Sequence, residues 1–186
     1  MNPIETYKHL CAAAAVLLVV ALLFLVWKWP QGKHMTFSQH AAAHRSAMLY
    51  YFLIFTAVLP LLLLFFLGWF VRAFQLPGAF TISIVLAVCF QYSVTIIPEV
   101  GGWKTRYHVT GASISALAML TALLILLVAP TVNGIGKSVT LLSVAAMVVL
   151  LYIGAINKIK HTHLLFLQAS YYIAFFAAIL TVTYAG

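Results

Sequence analysis

Six uncharged apolar stretches of about 20 residues each leave this chain few folds to adopt. They cover residues 10–27, 48–71, 79–98, 109–129, 139–156 and 164–184. A helix that crosses the hydrocarbon core of a bilayer needs about 20 mostly apolar residues. A membrane β-barrel shows short segments of alternating hydrophobicity instead. The expected fold class is therefore all-α: a polytopic integral membrane protein with six transmembrane helices in one bundle and short loops. The breaks at 28–47, 72–78, 99–108, 130–138 and 157–163 hold most of the charges and turn formers, including Leu76-Pro77-Gly78 and Asn133-Gly134. A single transmembrane domain over 1–186 leaves no room for a separate soluble domain. Trp27-Lys28-Trp29-Pro30 follows the first stretch without a small-residue cleavage site, so that stretch reads as a retained span rather than a signal peptide.

Charge is scarce and one-sided. Only 6% of the residues are charged, against roughly 25% in soluble domains. Ten Lys and Arg face two acids, Glu5 and Glu99, and aspartate is absent. Mechanisms that need paired carboxylates in one site are thereby disfavoured. Neither a Gly-rich phosphate loop nor an HExxH or GxSxG motif occurs. In a serine–histidine–acid triad only Glu99 could supply the acid on the histidine-rich side. Nothing points to nucleic acid. Cys11 and Cys89 fall in different spans and read as small buried hydrophobes rather than a disulfide.

Lys and Arg in short loops set orientation. Lys8, Arg72 and Lys137 lie on one side, and Lys28, Lys33, Arg45, Lys104, Arg106, Lys158 and Lys160 on the other. This predicts cytoplasmic odd-numbered loops and both termini outside. The basic side should attract anionic lipid headgroups, at about 1 kcal/mol per charge near the surface.

Six of the seven histidines share that basic side: His34, His40, His44, His108, His161 and His163. If residues 38–45 are helical, His40 and His44 share a face, the spacing of a metal or haem ligand pair. With His108 and His163 they form a candidate metal set, because zinc needs three or four ligands at one point. The other reading is that these imidazoles simply line the membrane interface. Glu99 belongs to the same loop system, as an ion-pair partner or a proton-handling group.

His108 also opens the fourth span. Beyond it, Gly111, Ala112 and Ser115 offer a small-residue surface on which a neighbouring helix can approach closely. Spans three and six carry polar residues, among them Gln91 and, in the last span, Gln168 and Tyr171. These serve either as interhelical hydrogen-bonding groups or as the lining of a polar cavity for a lipid or other amphiphile. Pro60 should kink the second span.

His108-Val109-Thr110-Gly111-Ala112, after a turn that follows the third span, resembles the H-x-x-G-A pattern of a family of six-helix membrane proteins. That family includes the DRAM autophagy modulators, the GPI-anchor remodelling proteins and bacterial relatives. The Gln168-Ala169-Ser170-Tyr171-Tyr172 segment is also similar in character to the family's last helix. The resemblance implies a non-enzymatic role in membrane lipid organisation and a cytoplasmic N-terminus, the reverse of the charge count. The leading expectation is a non-catalytic protein of lipid organisation, or a small subunit or scaffold of a membrane complex. The alternatives are a histidine-ligated metal- or haem-binding protein and a small transporter or channel working as a homo-oligomer.

Overall fold

The computed structural model describes residues 6–97, 99, 101–155 and 157–185, with side chains of 157–162 outside the description. Within these residues the chain is helical and contains no strand. Helices satisfy their own backbone hydrogen bonds, the condition for crossing lipid. A single 3₁₀ turn, Tyr7–His9, leads into α1 (Leu10–Lys28). A short helix α2 (Phe37–Ala42) occupies the first loop. Then come α3 (Arg45–Ala73), α4 (Gly78–Ile96), α5 (Gly102–Val128), α6 (Gly134–Ala155) and α7 (Asn157–Ala185). Six of these helices are long and apolar enough to cross a membrane, as the sequence predicts.

The helix ends sharpen the expected boundaries. Gly101 and Gly102 take φ of 92° and 61°, so α5 starts seven residues before the apolar stretch does. His108 consequently lies in the second turn of α5 rather than at its opening. Pro60 sits inside α3, which continues past it and then widens into a π-helical turn at Phe66–Phe70. That turn packs Phe66 and Phe70 against Phe80 from α4 and Phe66 against Phe175 from α7, with Phe65 against both Phe66 and Phe70. His163 breaks α7 with φ −141° and ψ 29°, and the apolar span begins there.

Sequential helices pack side by side: α1 on α3, α3 on α4, α4 on α5, α5 on α6 and α6 on α7. The α4–α5 contact is close. A Cβ added to Gly111 would stand 2.6 Å from Val94 Cγ1, and Ser115 donates to the Ala87 carbonyl at 2.9 Å. Ala112, beside them, is half-buried. The small residues of α5 thus admit α4 at close range.

The circuit closes where α7 returns to α1, and this seam is tied at both ends. At one end the Lys8 ammonium lies 5.7 Å from the Trp69 ring centroid and 5.5 Å from that of Tyr184, while His9 hydrogen-bonds the Tyr184 hydroxyl at 3.1 Å. At the other end the Leu165 amide donates to the Lys33 carbonyl at 3.3 Å, and the Phe37 amide donates to Gln168 Oε1 at 3.1 Å.

Candidate functional site

Glu99 is the carboxylate around which the basic-side loops assemble. The Thr36 hydroxyl donates to Oε2 at 3.2 Å, the Ser38 hydroxyl to Oε2 at 3.0 Å, and the Gln39 amide to Oε1 at 3.0 Å. His108 Nε2 faces Oε2 at 3.9 Å, an ion-pair distance rather than a hydrogen bond. The Glu99 and His108 side chains are 8% and 7% exposed. A carboxylate this sheltered needs partners, and three of its four come from α2 and its N-cap Thr36.

The local sequence explains why α2 can supply them. Thr36-Phe37-Ser38-Gln39 is a capping box. Thr36 Oγ1 accepts the Gln39 amide at 3.1 Å, and Gln39 Oε1 accepts the Thr36 amide at 2.9 Å. The cap fixes both side chains, so the hydroxyl and the amide NH₂ that remain point the same way, at Glu99. The third-loop carboxylate therefore holds the first loop down on the bundle.

The expected histidine set is dispersed. α2 ends at Ala42, and His44 is extended at φ −141°, ψ 140°, so His40 and His44 do not share a helix face. His40 is buried, and its Nδ1 donates to the Thr36 carbonyl at 2.9 Å. His108 Nδ1 lies 3.3 Å from the Ile97 carbonyl. His44 and His163 are exposed. Among the described residues no three His, Cys, Asp or Glu side chains converge on a point where a metal could bind. The side chain of His161 lies outside the described residues, as does Glu5. A serine–histidine–acid relay needs the imidazole between hydroxyl and carboxylate. Here the Glu99 carboxylate stands between Ser38 and His108.

The polar residues of the spans are distributed over distinct contacts. Gln168 is engaged by the Phe37 amide, and Tyr171 donates to the Ala116 carbonyl at 2.6 Å. Gln91 Oε1 accepts the Tyr172 hydroxyl at 3.0 Å, a bond between α4 and α7. Tyr172 matters more than the sequence suggests, because it lines two adjoining spaces. The outer one is a groove of about 410 Å³ between α1 and α7, bordered by Ala15, Val19, Leu22, Ala169, Ile173 and Ala177 among others. Its rim residues Val16, Val19, Leu23 and Ile173 are exposed, so it opens sideways toward lipid. The inner one, of about 50 Å³, lies among Phe55, Ala87, Gln91, Ser115 and Met119. Leu18, Tyr172 and Phe176 border both.

Neither the groove nor the Tyr172–Gln91 bond could be read from the sequence. The capping box could have been, since Thr-x-x-Gln before a short apolar run is a helix-start signature. No family model matches the chain, and neither a curated protein nor a solved structure matches it.

Proposed function

We propose that this protein acts in membrane lipid organisation by taking a single lipid chain laterally from the bilayer into the groove between α1 and α7. The observation that carries this reading is the groove itself. Its volume of about 410 Å³ falls within the range of small-molecule sites, and its lining is apolar apart from the Tyr172 hydroxyl. Along α7 it extends from Ala169 to Leu180, about 16 Å at 1.5 Å per residue, roughly one leaflet's depth of hydrocarbon. A space of that shape and polarity suits an acyl or isoprenoid chain. The exposed Lys28, Lys33, Arg45 and Arg106 suit anionic headgroups of the surrounding bilayer on the basic side. A lipid role also agrees with the resemblance carried by His108, Gly111 and Ala112.

The test is native mass spectrometry of the protein released from nanodiscs. The wild-type chain should retain about one lipid. Ala177→Phe, which places a ring in the groove, should lower that occupancy several-fold with thermal stability kept. Equal occupancy in the two proteins would remove the groove as a lipid site.

A further inference from the structure

We infer that the groove accepts only an unbroken hydrocarbon segment of limited length, and that Phe37 sets the limit by closing its basic-side end. This rests on the groove reading and adds to it the part of a lipid that is taken and the residue that measures it. The side chains bordering the groove belong to α1 and α7 with one exception, Phe37, the first residue of α2. Because α2 lies in the first loop, Phe37 reaches the groove from its loop end rather than from either wall. The Phe37 amide donates to Gln168 Oε1 at 3.1 Å, which places the ring beside Ala169, where the lining of α7 starts. One turn further out the Leu165 amide donates to the Lys33 carbonyl, so backbone seals the seam behind the ring. The ring itself is 6% exposed. It stands on a braced support: the capping box joins Thr36 to Gln39, and both residues bond Glu99.

At the far end the lining stops at Ala15 and Leu180, and one turn beyond Leu180 the Tyr184 hydroxyl is hydrogen-bonded to His9. About 16 Å separate Ala169 from Leu180 along α7. An extended chain advances roughly 1.2 Å per bond, so about 13 carbons fill that length. No basic or acidic residue borders the groove, and its one polar side chain, Tyr172, already donates its hydroxyl proton to Gln91. A headgroup or a mid-chain hydroxyl would therefore lie there unpaired. The piece that fits is the terminal hydrocarbon segment of a lipid chain, with the head left outside at the bilayer interface. Fit rather than polarity decides its retention, because bilayer and groove are equally apolar. A short segment forfeits dispersion contacts along the empty remainder, and a long one meets Phe37.

Perdeuterated n-alkanes that bracket this length serve as headless probes, offered to the full-length protein in nanodiscs. Native mass spectrometry of the released protein counts the alkane retained and the lipid it displaces. In the wild-type chain retention should rise with alkane length and stop rising at about 13 carbons. Each retained alkane should displace the retained lipid, since both fill the same space. Phe37→Ala should move the break upward by about four carbons, the helical turn between Ala169 and Leu165. Phe37→Leu, which keeps more of the buried side chain, should move it by fewer. A matched alkane carrying a mid-chain hydroxyl should be retained several-fold less. The same break in the wild type and in both Phe37 variants, or alkane held beside an undisplaced lipid, overturns Phe37 as the stop. Equal retention of the hydroxylated chain overturns the restriction to hydrocarbon. Equal alkane retention in the wild type and Ala177→Phe removes the groove reading itself.

Discussion

Gln39 donates to Glu99 Oε1 at 3.0 Å while its own carbonyl oxygen accepts the Thr36 amide at 2.9 Å. One side chain thus joins the first turn of a helix to a carboxylate 60 residues further on. The first loop is held by a helix cap and an acid acting through the same residue.

Glu99→Ala should therefore destabilise the protein by about 2–4 kcal/mol, because it leaves the Thr36, Ser38 and Gln39 donors facing a void. Glu99→Gln should cost less, since one acceptor oxygen remains. Thermal unfolding in bicelles measures the loss. Hydrogen exchange at Phe37–Ala42 should accelerate in step with it, and unchanged exchange there would show that Glu99 does not hold α2.

Gly111→Ala places a methyl 2.6 Å from Val94 Cγ1. Overpacking of this kind costs about 1–3 kcal/mol. Adding Val94→Ala makes room for it, so the double variant should be more stable than the sum of the two single losses predicts. Strict additivity would mean that the two helices separate without clash.

The two thiols should behave oppositely. Cys11 is fully buried and Cys89 exposed. In mild detergent a lipid-soluble maleimide should label Cys89 well ahead of Cys11, the site mapped by peptide mass, and both after unfolding in dodecyl sulfate. Labelling of Cys11 in the folded protein would contradict the α1 packing.

Orientation divides the charge count from the family resemblance. With Cys11 and Cys89 replaced by Ala, His34→Cys in the first loop and Ser138→Cys in the first turns of α6 each expose one thiol, on opposite sides. An impermeant maleimide should label Ser138→Cys in intact cells and His34→Cys only after permeabilisation. The reverse pattern places the N-terminus in the cytoplasm.

The spans were legible because lipid demands long apolar helices, and an unbroken apolar run is a local property of the sequence. The neighbours of Glu99 were not, because no local pattern links Gln39 to an acid 60 residues on. His40 and His44 misled in the opposite way. Their spacing suits a helix, but α2 stops at Ala42 and the extended backbone of His44 restarts the chain in a new direction. Gln91 and Gln168 looked equivalent in the sequence. The loop amide of Phe37 occupies one, and a phenol on a neighbouring helix bonds the other.

The α1–α7 seam is fastened at its two rims and loose in between. Lys8 and His9 on Tyr184 close it toward one aqueous phase, and Phe37 on Gln168 with Leu165 on Lys33 close it toward the other. On the proposed reading such a seam would serve as a side door: a hydrophobic guest would enter from the bilayer at mid-depth while the polar contacts at both rims stay closed.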